Sequence, residues 1–313
     1  MLEVNDKELE NFDFQDENIY KMMDINGFDT AEKDIRQDTD TIENLKIQYR
    51  SIKEIGQLFS ELSYSKLLQH DREENRKETK PLPAEFQKII SSNVTFIDIP
   101  LRDDSIYKIN TLNGSSYQTY CAILVAEIIK YFSELEDKNK KWKIGLIAPY
   151  KAQATLLKKL VDDYGISENI TIYAATAHGF QGDECDIVFF VCNPNDYKYT
   201  GYEKCLLSKE YIYNVAISRA KDYLIILHPF STIGNNNFIN QIAKSHKNNF
   251  ADKFSIIESS EIEKIIFGTE NYIYKYSNST GHDSVNVFGT SDDIKYYIKV
   301  SDNAIDIQIK NNL

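Results

Sequence analysis

The sequence lacks a phosphate-binding loop, the Gly-x-x-x-x-Gly-Lys-Ser/Thr run whose backbone amides and lysine hold nucleotide phosphates. It also lacks an apolar strand ending in Asp-Glu, a pattern that would hold magnesium, ahead of the motifs described below. Together, these two absences exclude a complete site for ATP hydrolysis within this sequence. We therefore expect no ATP turnover by this chain alone.

Cysteines are few, and long apolar runs are absent. The four cysteines show no paired spacing of the kind that metal ligands have, so we predict reduced, buried thiols rather than a zinc site. No apolar run approaches the roughly 18 residues of a membrane span, and the first residues lack the basic and apolar regions of a signal peptide. The sequence therefore predicts a cytoplasmic, reducing compartment and no membrane partner.

The net charge of −12 is concentrated at the amino terminus. Residues 1–40 hold 13 Asp plus Glu and 4 Lys plus Arg, whereas the remainder holds 35 acidic and 32 basic residues. The polarity and weak periodicity of this segment predict an acidic linker or arm. The nearly neutral remainder neither supports nor excludes a nucleic-acid partner, because a few well-placed loops can grip a strand.

From residue 41 onward, apolar runs alternate with amphipathic stretches. We predict helices near 52–62, 117–132, 151–163 and 209–220, and strands near 45–50, 94–99, 144–148, 170–174, 186–192 and 223–227. This alternation predicts an α/β domain over residues 41–230, with a parallel sheet covered by helices on both faces. Because such sheets bind ligands at the carboxyl ends of their strands, we expect the functional motifs at that edge.

Residues 231–313 form the third predicted segment, a small accessory α+β region. It contains a predicted helix near 262–267 and three alternating runs at 284–288, 294–300 and 304–309. The alternation and the polar turns between these runs predict a small antiparallel sheet. Its position behind the larger domain suggests a docking or strand-guiding role.

Four motifs carry the functional information. Residues 176–187 read Thr-Ala-His-Gly-Phe-Gln-Gly-Asp-Glu-Cys-Asp-Ile, and residues 213–219 read Tyr-Asn-Val-Ala-Ile-Ser-Arg. Two shorter motifs precede them, Gln-Tyr-Arg at 48–50 and Ile-Ala-Pro-Tyr-Lys-Ala-Gln at 147–153. In this order and spacing they resemble motifs of the second RecA-like domain of superfamily-one helicases, in the RNA-surveillance branch, which moves 5′ to 3′. The resemblance covers residues 45–227 and implies a RecA-like fold.

The resemblance implies that one group of residues completes an ATP site. It places Arg50 and Arg219 against the γ-phosphate, where planar, permanently charged guanidinium groups can neutralise charge on the transferring phosphoryl oxygens. The other residues implied at this site are Gln181 and Glu184 as catalytic groups, and Gln48, Tyr49 and Gly182 as nucleotide contacts. ATP and Mg²⁺ are then held mainly by a first RecA-like domain, supplied by another polypeptide or lost by truncation.

The resemblance implies that a second group contacts single-stranded DNA or RNA. Thr176 and His178 face the nucleic-acid backbone, and Tyr150, Lys151 and Gln153 lie where a strand leads into a helix. Lys151 and Gln153 are predicted phosphate contacts beside the helix amino terminus. Tyr150 either stacks on a base or packs within the protein.

Three functional classes are compatible with these residues. The first is an incomplete helicase, and the second is a non-enzymatic module, derived from a helicase, that binds nucleic acid or protein. The third is a nuclease, which is the weakest because no Asp…Glu-x-Lys cluster occurs on adjacent predicted strands. Asp183, Glu184 and Asp186 also allow a metal site, but Asp186 begins an apolar strand and is expected to pair locally. We therefore predict no metal ion.

Overall fold

A computed structural model describes residues 46–72, 79–102, 105–162, 164, 166–180, 182–192, 206–231, 238–275, 277–279, 284–288, 294–301 and 304–311. The predicted acidic arm at residues 1–40 lies outside the described residues, and so does Gln181. The predictions made for both therefore stay predictions.

The first described elements surround one amphipathic helix. Helix α1 (Lys53–Ser63) lies in the sequence between strands β1 (Ile47–Gln48) and β2 (Gln69–His70). These two short strands pair in parallel. Strand β3 (Val94–Asp98) is followed by the hairpin of β4 (Ile109–Leu112) and β5 (Ser115–Gln118), and then by helix α2 (Thr119–Leu135). The hairpin turn is Asn113-Gly114, with φ angles of 50° and 75°, a conformation that an Asn-Gly pair favours.

The remaining elements alternate between strand and helix before the carboxyl-terminal strands begin. In order they are β6 (Trp142–Ala148), α3 (Lys151–Asp162), β7 (Ile170–Thr176), β8 (Cys185–Val191), α4 (Glu210–Ile217), β9 (Ala220–His228), α5 (Phe238–Asn249), β10 (Ile256–Glu258), α6 (Ser259–Phe267) and α7 (Tyr272–Lys275). Strands β11 (Ser277–Ser279), β12 (Ser284–Phe288), β13 (Ile294–Ser301) and β14 (Ala304–Asn311) form an antiparallel sheet in that order. The predicted antiparallel arrangement of the last three runs is confirmed.

Six parallel strands form the central sheet, in the order β10-β3-β9-β8-β6-β7. Every residue of β3 and β8 is buried, which explains why both strands read as nearly continuous apolar runs rather than alternating ones. Neighbouring residues such as Phe189 and Phe190 join two different hydrophobic clusters, because successive side chains of a strand point to opposite faces.

Helices cover both faces of this sheet. One hydrophobic cluster contains residues of α2, α3 and α6, and the other contains residues of α1, α4 and α5. The predicted RecA-like arrangement, a parallel sheet with helices on both faces, is therefore confirmed. The structure also shows two features that the sequence pattern did not predict, the β4–β5 hairpin and the extension of the central sheet by β10, which lies beyond residue 230.

Candidate functional site

Two of the residues predicted for the ATP site, Glu184 and Arg219, lie at the amino edge of the central sheet. Glu184 immediately precedes β8 and Arg219 immediately precedes β9, and these strands are parallel neighbours. The backbone N–H of Cys185 donates to the carbonyl of Arg219 at 3.0 Å, which holds the two segments side by side. The expectation that all motifs lie at the carboxyl edge is therefore wrong for these residues, because each one comes before its strand rather than after it.

Arg50 reaches the same edge because the loop before α1 is bonded to the start of β9. The Ser51 hydroxyl donates to the carbonyl of Ala220 at 2.6 Å, and the backbone N–H of Ile52 donates to the carbonyl of Lys221 at 3.0 Å. Ser51 is fully buried, so this attachment is shielded from water. These bonds bring Arg50 next to Arg219, although the two residues are far apart in the sequence.

Gln48 shapes this loop. Its Oε1 accepts hydrogen bonds from the backbone N–H groups of Arg50 at 3.0 Å and Ser51 at 2.9 Å. Its Nε2 lies 2.9 Å from the carbonyl oxygen of Ser51 and 3.0 Å from Nδ1 of His70. The Gln48 amide is thus occupied within the protein, whereas the neighbouring Tyr49, also predicted as a nucleotide contact, is exposed.

The Arg50 guanidinium group bridges the two motifs. Its Nε donates to Oε2 of Glu184 at 2.9 Å, and its Nη1 donates to the backbone carbonyl of Ser218 at 3.0 Å. The side chains of Arg50 and Glu184 are 37% and 46% exposed, so this ion pair faces solvent. A ligand can therefore approach it without any rearrangement of the core.

Arg219 lies beside Arg50 and has only neutral acceptors within the described part of the chain. Its guanidinium group donates to the carbonyls of Val215 at 3.2 Å and Asp183 at 3.3 Å, and to the Ser218 hydroxyl at 3.2 Å. Burial and the nearby positive charge of Arg50 lower the pKa of Arg219, and the negative charge of Glu184 opposes this shift. The edge thus gathers two guanidinium groups whose mutual repulsion an additional anion would relieve.

An ion-pair network around the buried carboxylate of Asp186 supports this edge. Asp186, whose side chain is only 3% exposed, accepts from Lys80 at 2.6 Å and from the backbone N–H of Lys143 at 2.9 Å. Lys221 lies 3.0 Å from Asp186 and 3.8 Å from Glu184, so it links the buried carboxylate to the exposed one. Local pairing, as predicted, explains the position of Asp186.

Gly182 also lies in the loop before β8. Its φ angle is +101°, a value that side-chain-bearing residues rarely adopt, while a Cβ placed on it would meet no atom within 4 Å. Backbone conformation rather than lack of space therefore requires glycine at this position.

The residues predicted to contact a strand lie nearer the carboxyl edge. Thr176 ends β7, and its hydroxyl oxygen accepts from the backbone N–H of Gly179 at 3.2 Å. Lys151 begins α3 and is exposed, and the preceding Tyr150 is partly buried. His178 is exposed, with its ring centroid 5.5 Å from that of Tyr211.

Gln153 does not reach the surface, although the sequence predicted a phosphate contact for it. Its side chain is 0% exposed, and its Oε1 accepts from the backbone N–H of Gln118 at 2.7 Å. Nearby, the hydroxyl oxygen of Ser115 accepts from the backbone N–H of Ala152 at 2.9 Å. The Gln153 side chain and the backbone N–H of Ala152, at the start of α3, therefore form hydrogen bonds with the β4–β5 hairpin, where the sequence predicted contacts with a phosphate.

Two segments connect the carboxyl and amino edges. Residues 177–184 leave the carboxyl end of β7 and arrive at the amino end of β8, which must lie at the opposite edge because the strands are parallel. Helix α4 makes the same crossing between β8 and β9, with Tyr211 in its first turn and Arg219 just after its last. Residues 177–184 thus link the two predicted groups, because they include His178 of the strand group and Glu184 of the ATP group. Helix α4 leads to Arg219 of the ATP group, while its Tyr211 belongs to neither predicted group.

The described residues contain no group of three or more His, Cys, Asp or Glu side chains that could hold a metal ion. In the same residues, no helix is both long and apolar enough to cross a membrane. Cys121, Cys185 and Cys192 are buried, unpaired thiols, and burial raises the pKa of Cys185 to about 12.

Sequence reasoning missed several residues that build the site. Ser51 directly follows Arg50, and Lys221 lies at the start of β9, before its apolar part. Neither a serine nor a lysine indicates a supporting role by residue type alone. Tyr211 lies in a stretch for which the sequence predicted a helix but no functional residue before Asn214. Lys80 lies in a charged segment that predicted an exposed loop, although its ammonium group reaches buried Asp186.

Comparisons with known proteins identify the family of the chain. A family model described as AAA domain, AAA_12, matches residues 28–229. Helicase sen1 of Schizosaccharomyces pombe is 28% identical over 190 residues, which cover 60% of this chain and 11% of that protein. The DNA polymerase alpha-associated DNA helicase A of Saccharomyces cerevisiae is 32% identical over 117 residues, which cover 37% of this chain and 16% of that protein. The chain thus matches only a small part of either relative. From the family match over most of its length, the chain belongs to the AAA_12 family of superfamily-one helicases.

Proposed function

We propose that this chain is the carboxyl-terminal motor domain of an ATP-dependent nucleic-acid helicase. Arg50 and Arg219 contact the γ-phosphate of ATP, while Mg²⁺ and most of the nucleotide are held by a phosphate-binding loop outside this sequence. Tyr150, Lys151, Thr176 and His178 bind single-stranded DNA or RNA. The motor acts in a reducing, cytoplasmic compartment.

The observation that carries this proposal is the convergence of two guanidinium groups on Ser218. Arg50 donates to its carbonyl and Arg219 donates to its hydroxyl, so both cations face one small region. The carboxylate of Glu184 forms an ion pair with Arg50, whereas the described acceptors of Arg219 are neutral. A phosphate group fits this arrangement because it supplies negative charge and several acceptor oxygens at once.

ATP supplies the phosphoryl group and the free energy, and the residues of this chain sense its presence. A guanidinium group that binds the γ-phosphate draws the amino edge of the sheet toward the phosphate-binding loop. Residues 177–184 and helix α4 pass from that edge to the strand-binding residues. A shift of either segment therefore couples the nucleotide state to the affinity for the strand.

The decisive experiment measures ATP hydrolysis with this chain alone and after addition of an amino-terminal domain that contains a phosphate-binding loop. Each mixture is assayed with and without single-stranded DNA or RNA. We expect no turnover by the chain alone and strand-stimulated turnover with the added domain. Arg219→Ala should lower assisted turnover by about 10³-fold, a typical effect of an arginine that acts on the γ-phosphate.

Arg219→Lys is the matched control for charge. It keeps the positive charge but loses the planar fork, so most of the activity should still be lost. Strand binding by both variants should equal that of the unmodified chain, which shows that each is folded. Hydrolysis by the chain alone, or full assisted turnover by Arg219→Ala, would refute the proposal. Strand binding without any assisted turnover would favour the non-enzymatic binding module.

A further inference from the structure

We propose that Tyr211, together with His178, forms a platform on which one base of a single-stranded nucleic acid stacks. This inference rests on the proposed function and adds a residue that none of the recognised motifs contains. The two rings are 5.5 Å apart between centroids, with an angle of 46° between their planes. They belong to different segments, the one-turn helix at His178–Phe180 and the first turn of α4.

The exposure of Tyr211 distinguishes it from the other tyrosine of α4. Tyr211 is 48% exposed, whereas Tyr213 is 1% exposed and donates its hydroxyl hydrogen to the carbonyl of Leu207 at 2.7 Å. Residues two positions apart point to nearly opposite sides of a helix, so packing of Tyr213 in the core turns Tyr211 outward. A large aromatic ring is thus held in solvent by a rigid, buried support.

The position of the pair matches the expected path of a strand. His178 lies two residues after Thr176, at the carboxyl edge where Lys151 is also exposed. Tyr211 lies at the end of α4 opposite Arg219, so a base on Tyr211 does not compete with a phosphate at the two guanidinium groups. The rings of Tyr211 and His178 are tilted rather than parallel, and Tyr211 is 48% exposed, so part of its ring is open to a ligand.

Stacking is the chemistry that such a ring offers to nucleic acid. Every base has an aromatic face, so an exposed tyrosine binds bases with little sequence preference. A base that packs on Tyr211 also removes apolar ring surface from water. Lys151, which is exposed at the same carboxyl edge, supplies the positive charge that a phosphate backbone requires.

The test measures binding of the full chain by fluorescence anisotropy. The probes are a labelled oligothymidylate, a labelled oligouridylate and an abasic oligodeoxynucleotide of equal length. Tyr211→Ala should weaken binding to the two base-containing strands by about five- to 100-fold and leave binding to the abasic strand unchanged. Tyr211→Phe keeps the ring and should restore the affinity.

Two further variants separate stacking from charge and from general exposure. Lys151→Ala should reduce the dependence of affinity on salt by about one released counterion, whereas Tyr211→Ala should leave that dependence unchanged. Tyr173→Ala removes an exposed tyrosine of the edge strand β7 and should bind like the unmodified chain.

The outcomes distinguish this inference from the proposed function. Normal binding of thymidylate and uridylate by Tyr211→Ala would overturn the stacking platform and leave the proposed function intact. An equal loss on the abasic strand would overturn it too, because a folding defect rather than stacking would then explain the loss. Failure of the unmodified chain to bind any strand would instead contradict both proposals.

Discussion

The ammonium group of Lys221 lies 3.0 Å from the carboxylate of Asp186, and the same group lies 3.8 Å from Glu184. Asp186 is buried, while Glu184 is exposed and pairs with Arg50. One lysine therefore joins a structural ion pair to a pair at the candidate site. Although the two carboxylates are only two residues apart, neutralising each of them should change the stability of the fold by a very different amount.

We predict that Asp186→Asn lowers the free energy of unfolding by about 3 kcal/mol, because it removes the buried carboxylate that pairs with Lys80 and Lys221 and leaves both ammonium groups without it. Glu184→Gln should change it by less than about 1 kcal/mol, because its ion pair is exposed and screened by water. Urea unfolding of both variants checks the difference. Equal losses would contradict the assignment of Asp186 as the structural carboxylate.

The acid dependence of stability gives a second check on Asp186. Burial raises the pKa of Asp186, but hydrogen bonds from Lys80, Lys143 and Lys221 lower it by more, so its pKa lies below the ordinary value of 3.8. The stability that it contributes is therefore present above this pH and is lost as the pH falls through the lower folded pKa. The difference between the unmodified chain and Asp186→Asn should shrink accordingly in acid.

Much of the fold could be predicted from the sequence because its central strands are buried on both faces. Strands such as β3 and β8 read as nearly continuous apolar runs, which leaves little ambiguity. Strand β10 is only three residues long, too short to show a period. The β4–β5 hairpin is largely polar, and the Asn113-Gly114 turn was its one recognisable signal.

The site was less predictable, because its geometry depends on contacts between distant residues. No spacing within the sequence shows that Arg50 meets Glu184, 134 positions away, and resemblance to a family supplied only the expectation that both residues belong to an ATP site. Gln153 shows the opposite case. A glutamine in the first turn of a helix is typically exposed, and only the hairpin that packs over α3 explains why this one is buried.

A buried carboxyl group on α2 should make stability depend on pH near neutrality. Burial raises the pKa of Glu127 from 4.5 to about 7, a shift that the hydroxyl of Tyr164 opposes by donating to its Oε1. Its Oε2 has no hydrogen-bond partner within the described residues. The protonated form therefore suits this site better than the carboxylate.

The sign of the effect follows from proton linkage. Below pH 4.5 the carboxyl group is protonated in both states, but between this value and about 7 only the folded state keeps the proton. Stability should thus fall by about 3 kcal/mol as the pH rises through this range. Glu127→Gln should flatten this part of a denaturation profile, whereas Glu134→Gln, an exposed change on the same helix that removes only the smallest contribution to the shift, should flatten it far less. A Glu127→Gln profile parallel to that of the unmodified chain would contradict the shift.

Gly145 leaves room for the loop that joins the two groups of site residues. A Cβ at this position of β6 would lie 2.8 Å from Cζ of Phe180 and 3.2 Å from Sγ of Cys185. Phe180 is buried and cannot move into solvent, so Gly145→Ala should destabilise the fold by about 1–3 kcal/mol. It should also weaken strand binding, because Phe180 is near His178 in the sequence.

Gly179→Ala is the matched control within the same loop. Its Cβ would make only ordinary contacts, 3.4 Å from Oγ1 of Thr176 and 3.5 Å from Cβ of Ala175. The change should alter stability by less than about 1 kcal/mol. Thermal unfolding and anisotropy with a labelled oligothymidylate measure both properties, and similar effects of the two variants would argue against a specific clash with Phe180.

Arg50 provides the sharpest contrast between stability and function. Its Nε and Nη1 bind two different acceptors, Glu184 and the Ser218 carbonyl, which a lysine cannot reproduce with one ammonium group. Arg50→Lys should therefore lower assisted ATP turnover by about 10²-fold, while its partly exposed ion pair limits the stability loss to about 1 kcal/mol. Strand binding should remain normal, since Arg50 lies at the amino edge. Full turnover by Arg50→Lys would mean that Arg50 only fastens the loop before α1, and that Arg219 alone acts on the phosphate.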